Sequence, residues 1–114
     1  MKIKNLSRGT ILAERVVFCR TLKSRLVGLI NRPFLESGSA LVLPRCNSIH
    51  TLFMRFSIDV LFLDERGKVV GKIETMAPFR ISPLFWQARQ AIELPANTLE
   101  NTATSIGDII RIEP

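Results

Sequence analysis

The chain has 114 residues, and its hydrophobic content of 46% and charged content of 23% are ordinary for a single globular domain with one core. This composition excludes a disordered chain, and two cysteines without a Cys-x-x-Cys pair exclude a structural zinc site. The formal net charge is +6, and arginine supplies 11 of the 16 basic residues. That bias indicates anionic partners, because guanidinium groups bind phosphate and carboxylate through paired hydrogen bonds.

The beginning of the chain carries charged residues and no apolar stretch, so it does not resemble a secretory signal. No apolar segment is long enough to cross a membrane. We therefore predict one cytoplasmic domain over residues 1–114, with no membrane partner. In a reducing compartment, Cys19 and Cys46 are expected to be thiols rather than a disulfide.

The first predicted strand covers residues 11–18, which are rich in β-branched and aromatic side chains. Thr21 can cap a short helix over residues 22–30, where leucine and isoleucine recur every three or four positions, and Pro33 ends that helix. A turn of small residues at 37–39 then precedes a buried strand at 40–43.

The second half of the chain predicts strands at 58–63, 68–74, 88–94, 98–104 and 108–112. Residues 64–67 form a hairpin turn that ends in Gly67, and residues 76–84, with two prolines, form an extended loop. This spacing predicts an α+β fold that is predominantly β, with a small barrel-like curled sheet and one short helix.

The densest group of chemically capable side chains lies between the strands at 40–43 and 58–63. It holds a thiol, two hydroxyls, the only imidazole of the chain, a guanidinium and a carboxylate: Cys46, Ser48, His50, Thr51, Arg55 and Asp59. Asp59 and Glu93 each interrupt an apolar strand, and a buried carboxylate needs partners. We predict a polar pocket that binds a small anionic ligand and is formed by Ser48, His50, Thr51, Arg55, Asp59 and Glu93.

Three other interpretations of these residues stay open. Cys46 and His50 could act as the nucleophile and base of a hydrolase or transferase, with Asp59 or Asp64 orienting the imidazole. The motif could also be purely structural, with Asp59 accepting hydrogen bonds from backbone N–H groups of its own loop. A metal site formed by His50 and nearby carboxylates lacks a diagnostic ligand spacing, so no metal and no cofactor are predicted.

A second functional class is a β-barrel that binds RNA or DNA. Arginines distributed along the chain would contact phosphates, and Phe85 and Trp86, which follow a proline in a loop, would stack on bases. The chain carries no Walker A, Gly-x-Gly-x-x-Gly or Gly-x-Ser-x-Gly sequence, so nucleotide hydrolysis, dinucleotide redox chemistry and α/β-hydrolase chemistry are excluded.

Several segments together resemble the family catalogued as domain of unknown function 192. They are Arg25-Leu-Val-Gly28-Leu29, Ser48-Ile-His50-Thr51-Leu-Phe-Met54, Ile58-Asp59-Val60-Leu-Phe62-Leu-Asp64, the Gly67 hairpin, Glu93-Leu94-Pro95-Ala96 and Gly107-Asp108. Many members carry Trp-Met-Lys-Asn-Thr in place of the segment with His50, and a glycine in place of Asn97. Asparagine tolerates positive φ, so the turn at Asn97 is expected to be kept. The resemblance implies one compact β-rich domain and no particular reaction.

Overall fold

The computed structural model describes residues 1–21 and 33–114, which contain eight strands and one short helix. The strands are β1 (Lys2–Asn5), β2 (Thr10–Ala13), β3 (Arg15–Phe18), β4 (Ser39–Pro44), β5 (Ile58–Leu63), β6 (Val69–Met76), β7 (Gln90–Pro95) and β8 (Ile110–Glu113), and the helix is α1 (Thr98–Asn101). The helix predicted at residues 22–30 lies outside the described residues.

The strands form two sheets and not a closed barrel. One sheet has the order β2-β1-β8 and the other has the order β3-β4-β7-β5-β6. Among the described strands, β3 and β4 are a parallel pair and the other pairs are antiparallel. The predicted fold class, mostly β with a short helix, is confirmed.

Two local predictions were wrong. Residues 11–18 are not one strand, because the chain bends at Glu14, where the N–H groups of Glu14 and Arg15 both donate to the Gly38 carbonyl, so β2 and β3 enter different sheets. The strand predicted at 98–104 is instead α1 and a turn. That helix follows Asn97, which has φ 75°, so the expected positive-φ turn is confirmed.

The central strands of the five-stranded sheet, β5 and β7, are buried on both faces. On the first face the sheet packs against the three-stranded sheet, with side chains of both sheets in one cluster that includes Ile3, Leu12, Leu61, Leu94 and Leu99. On the second face a separate cluster includes Ile49, Met54, Phe62 and Ala91. Each residue of β5 is buried as a result, which explains its unbroken apolar run apart from Asp59.

Two loops cover the second face. We call residues 45–57 the polar loop and residues 77–89 the proline loop. β4 ends where β7 begins, with Pro44 opposite Gln90, and β5 begins where β6 ends, with Ile58 opposite Met76. Both loops therefore connect the same two ends of the sheet, in opposite directions. No helix among the described residues is long and apolar enough to cross a membrane.

Candidate functional site

Hydrogen bonds join the polar loop and the proline loop along their length. The Phe85 N–H donates to the Asn47 carbonyl at 2.9 Å, and His50 forms an isolated antiparallel bridge with Ile81. The order of these contacts is that of two antiparallel strands, although neither loop is a regular strand. Backbone groups that would otherwise lie buried and unsatisfied above the sheet thus find partners in the neighbouring loop.

Thr51 is the main link between the two loops. Its side chain is fully buried, and its hydroxyl donates to the Ala77 carbonyl at 2.6 Å and accepts from the Arg80 N–H at 2.9 Å. Its backbone N–H donates to the Arg80 carbonyl, and its carbonyl accepts from the Phe79 N–H, each at 2.9 Å. These bonds account for the hydroxyl, so Thr51 supports the loop rather than facing a ligand.

Ser48 and Ser82 form a second link. The Ser82 hydroxyl accepts from the Ile49 N–H at 2.9 Å, and the two serine hydroxyl oxygens are 3.1 Å apart. The Ser82 N–H donates to the Ile49 carbonyl at 2.9 Å. Ser82 was not predicted as part of the site, because a serine between Ile81 and Pro83 carries no signal of its loop partner.

His50 is half-buried in the polar loop. Its Nδ1 accepts a hydrogen bond from the Leu52 N–H at 3.2 Å. A ring nitrogen that accepts cannot carry the proton, so the neutral imidazole has its proton on Nε2. In that tautomer Nε2 carries the N–H donor of the ring.

Asp59 is fully buried on the first face of the sheet, and backbone groups hold both of its carboxylate oxygens. Oδ1 accepts from the Thr75 N–H at 2.8 Å, and Oδ2 accepts from the Leu99 N–H at 2.9 Å. These donors lie at the end of β6 and in the first turn of α1, whereas the sequence had indicated donors in the polar loop. The carboxylate therefore fixes the irregular end of β6, where Thr75 has φ 53°, and the start of α1.

Glu93 is also fully buried, but it lies on the opposite face from Asp59. In β7 its neighbours Ile92 and Leu94 belong to the cluster between the two sheets, so Glu93 lies on the second face with Ala91. Successive side chains of a strand alternate between faces. The same alternation along β5 places Asp59 on the first face, opposite Leu94.

The six residues of the predicted pocket are therefore not brought together. Ser48 and His50 lie in one cleft, Thr51 supports the loops from within, Arg55 is exposed to solvent, and Asp59 and Glu93 are separated by the sheet. No group of three histidine, cysteine, aspartate or glutamate side chains suited to a metal ion occurs among residues 1–21 and 33–114.

The cleft beside His50 has a volume of about 210 Å³. It opens between the residues that follow β3, the end of β4 and the polar loop. Its described lining consists of Cys19, Arg20, Thr21, Leu43, Pro44, Cys46, Ser48, Ile49 and His50. The guanidinium carbon of Arg20 lies 5.8 Å from the centre of the Phe18 ring, a cation–π contact with a residue that does not line the cleft.

Sequence reasoning missed Cys19, Arg20 and Thr21 as cleft residues. They follow β3, which pairs in parallel with β4, and this pairing carries them beside the start of the polar loop. The Cys19 N–H donates to the Val42 carbonyl at 2.8 Å, which continues the pairing beyond β3. The parallel pair joins segments distant in sequence, so no local pattern predicts it.

Cys46 makes a hydrogen bond that bears on its chemistry. Its Sγ lies 3.0 Å from the Ser48 carbonyl oxygen, and in this contact the thiol is the donor. A thiolate at that position would lie against the negative end of the carbonyl dipole. The contact therefore favours the neutral thiol over the nucleophilic form.

A second cavity, of about 510 Å³, lies around Trp86. Its lining includes Arg66, Lys68, Arg89 and the Trp86 ring, which is 77% exposed. Asp64 also lines it, and the Lys68 and Arg66 N–H groups hydrogen-bond to that carboxylate and hold the pKa of Asp64 below its ordinary value.

Phe85 differs from its neighbour Trp86, although both were predicted to form one exposed stacking surface. The Phe85 ring is stacked on Phe62, with ring centres 4.3 Å apart, and it packs over Gly71. Phe85 thus belongs to the second core cluster, and only Trp86 presents an exposed ring here.

A buried polar cluster joins the two ends of the chain far from the loops. The Asp108 carboxylate accepts from the Asn5 side chain at 2.9 Å, from the Ser105 N–H at 2.9 Å and from Arg8 at 3.1 Å. Burial alone would raise the pKa of Asp108, but these three donors together hold it below its ordinary value.

Comparison with known proteins gives consistent results. A model of the family named domain of unknown function 192 (DUF192), described as an uncharacterized ACR, matches residues 3–112. A UPF0127 protein of Thermococcus sibiricus is 34% identical over 93% of this chain and 71% of its own length. A UPF0127 protein of Pyrococcus furiosus is 32% identical over 91% of each chain.

Solved structures with the same fold come from two bacteria. A protein of unknown function from Novosphingobium aromaticivorans has a TM-score of 0.80 at 14% identity, covering 97% of this chain and 82% of that one. A protein from Sinorhizobium meliloti has a TM-score of 0.80 at 19% identity, covering 96% and 89%. At these identities the likeness concerns the fold alone. The family model and the archaeal relatives show that this chain belongs to the DUF192 family.

Proposed function

We propose that the protein is a binding module for a small anionic ligand, which occupies the cleft beside His50. The observation that carries the proposal is the set of polar residues in this cleft, where His50 and Arg20 line one cavity. The N–H groups of an imidazole and of a guanidinium donate hydrogen bonds, and a phosphate or carboxylate accepts them.

The cleft suits a small ligand rather than a macromolecule. Its volume of about 210 Å³ is below the range of roughly 300–1,000 Å³ that is usual for small-molecule pockets, so it suits only a very small ligand, and Leu43, Pro44 and Ile49 supply apolar walls. The proposed site does not include Thr51, Arg55, Asp59 or Glu93, because they are not among the described residues that line this cleft. Ser48 shapes the cleft through its bond to Ser82.

The proposal can be tested by calorimetry with inorganic phosphate and a panel of small mono- and dicarboxylates. We expect at least one anion to bind, and we expect His50→Ala and Arg20→Ala to weaken it roughly tenfold each, the loss typical of a charge-assisted hydrogen bond. Arg111→Gln is the matched control, because it removes one positive charge from the three-stranded sheet. Equal weakening by the control would assign the binding to net charge instead.

A cysteine-based enzyme is the competing use of the same cleft. The alkylation rate of Cys46 against pH, measured in a Cys19→Ser background, separates the two. We expect no rate plateau below the ordinary thiol pKa of about 8.5, because the thiol donates to the Ser48 carbonyl. A plateau well below that value would establish an activated thiolate and replace the binding module by an acyl-transfer or hydrolytic function.

A second candidate function, binding of single-stranded nucleic acid, is favoured by the cavity around Trp86. There an exposed indole lies among Arg66, Lys68 and Arg89, so a base could stack while its phosphates contact the cations. We expect a single-stranded RNA oligonucleotide to bind at low salt and Trp86→Ala to weaken it by roughly tenfold. Binding that is unaffected by Trp86→Ala, or that is absent at low salt, would eliminate this candidate.

A further inference from the structure

The outer side of the two loops presents apolar side chains to solvent. Phe53 is 65% exposed, Phe79 is 58% exposed and Ile81 is 73% exposed. The rings of Phe53 and Phe79 contact each other edge to face, with centres 5.7 Å apart. We call these three residues the apolar rim. They lie outside the lining of the cleft beside His50 and of the cavity around Trp86.

The backbone is strained at both phenylalanines of the apolar rim. Phe53 has φ 65° and Phe79 has φ 60°, a region that glycine and asparagine adopt far more readily than a bulky side chain. The Phe79 N–H donates to the Thr51 carbonyl at 2.9 Å, so the buried link at Thr51 helps to hold this conformation. Folding alone does not explain two exposed phenylalanines at such positions.

The two loops that carry the apolar rim are basic. Residues 45–58 and 76–92, which include both loops, contain four arginines and no aspartate or glutamate. Arg55 follows Phe53 by two positions, and Arg80 lies between Phe79 and Ile81, with both arginines exposed. Exposed apolar and cationic residues therefore follow one another closely along both loops.

We propose that the apolar rim, with Arg55 and Arg80, docks the protein onto the surface of an anionic lipid membrane. Phenylalanine and isoleucine side chains would enter the boundary between head groups and acyl chains, and the guanidinium groups would contact lipid phosphates. A nucleic acid could use the phenylalanine rings but gains little from Ile81. The sequence had indicated no membrane partner because it lacks a spanning stretch, but a loop can bind a membrane surface without spanning it.

The test is co-sedimentation with vesicles of phosphatidylcholine alone and of phosphatidylcholine mixed with phosphatidylglycerol. We expect the protein to sediment with the mixed vesicles, and the bound fraction to fall as salt increases. The double variant Phe53→Asn with Phe79→Asn should reduce partitioning by roughly tenfold or more, because two apolar anchors are lost. Arg55→Gln and Arg80→Gln should each reduce it about fivefold.

The asparagine variant is chosen because asparagine tolerates the positive φ of both positions. Its thermal stability should equal or exceed that of the unmodified protein, so loss of vesicle binding cannot be attributed to unfolding. Ile106→Asn is the matched control, because Ile106 is an exposed apolar residue outside both loops, and it should leave partitioning unchanged.

Three results would overturn the membrane proposal. The first is equal sedimentation with neutral and anionic vesicles, or with neither. The second is self-association in solution that the asparagine variant abolishes, which would make the apolar rim a contact between two copies of the chain. The third is a single-stranded RNA oligonucleotide whose binding is lost in the same variant, since the rim would then be a nucleic-acid surface.

Discussion

The two faces of the five-stranded sheet are covered in different ways. On the first face a second sheet satisfies its own backbone groups through strand pairing, and the Asp59 carboxylate accepts hydrogen bonds from the N–H groups of Thr75 in β6 and Leu99 in α1. On the second face two irregular loops form the cover. Their backbone groups find hydrogen-bond partners in each other and in the hydroxyls of Thr51 and Ser82. A cover made of loops needs specific side-chain hydrogen bonds, which regular strand pairing does not. In return, the side chains on its outer side are less constrained than those of paired strands.

Asp59→Ala should remove the hydrogen bonds that Asp59 makes on the first face, and it should cause the largest loss of stability. It leaves the Thr75 and Leu99 N–H groups without their acceptors, at a cost of about 3–4 kcal/mol in the free energy of unfolding. Chemical denaturation measures this loss. Asp59→Asn, which keeps one carbonyl acceptor, should lose less than Asp59→Ala. Equal losses would mean that shape at this position matters more than hydrogen bonding.

Gly71→Ala tests the packing beneath the loop cover. A Cβ on Gly71 would overlap the Phe85 ring, which then must move off Phe62, at a cost of about 2 kcal/mol. Denaturant titration gives the change. Phe85→Leu in the Gly71→Ala background should recover part of the stability, because a smaller side chain relieves the overlap. Additive losses in the double variant would contradict this account.

Thr51→Val tests the hydrogen-bonded link between the loops without changing side-chain volume. We expect a loss of about 1–2 kcal/mol, because the Arg80 N–H and the Ala77 carbonyl lose their partner. In Thr51→Val, hydrogen exchange should be accelerated more at the Arg80 N–H than at the N–H groups of β5. Thr51→Ser is the control. It keeps the hydroxyl, so exchange at the Arg80 N–H should stay slow in that variant.

The pH dependence of stability should show the smallest of the four effects. The folded pKa of Asp108 lies below the ordinary 3.8, so its carboxylate stabilises the fold fully above that value and loses this contribution as pH falls through the folded pKa. Asp108→Asn should therefore be less stable than the unmodified protein at neutral pH, and the difference should shrink in acid. Urea titrations at neutral and acidic pH compare the stability of Asp108→Asn with that of the unmodified protein. A stability difference that does not change with pH would contradict the lowered pKa of Asp108.

The sequence predicted the fold class because β5 and the Gly67 hairpin have strong local signals. Residues 58–63 were predicted and observed as a strand, and Gly67 has the positive φ of 82° that its turn requires. β1, with the sequence Lys-Ile-Lys-Asn, lacks such a signal and forms only because β2 and β8 pair with it. Helix α1 replaced a predicted strand because the Asp59 carboxylate, 40 residues away, caps its first turn.

The candidate site could be predicted only as a region. The concentration of polar residues around His50 indicated the polar loop, and Ser48 and His50 do line a cleft there. Sequence spacing could not show that Asp59 and Glu93 lie on opposite faces, because that depends on the register of β5 with β7. Arg20 could not be found, since only the parallel pairing of β3 with β4 carries it to the cleft.

The pairing of β1 with β8 has a consequence for how the chain acquires its structure. Lys2 lies opposite Glu113, and the Asn5 side chain bonds Asp108 from 103 positions away. The three-stranded sheet therefore cannot close until nearly all of these residues have left the ribosome. Such distant pairings slow folding, because a long loop must be closed before its contacts form. During synthesis the first face of the larger sheet stays open to solvent, and there the growing chain is most prone to aggregation.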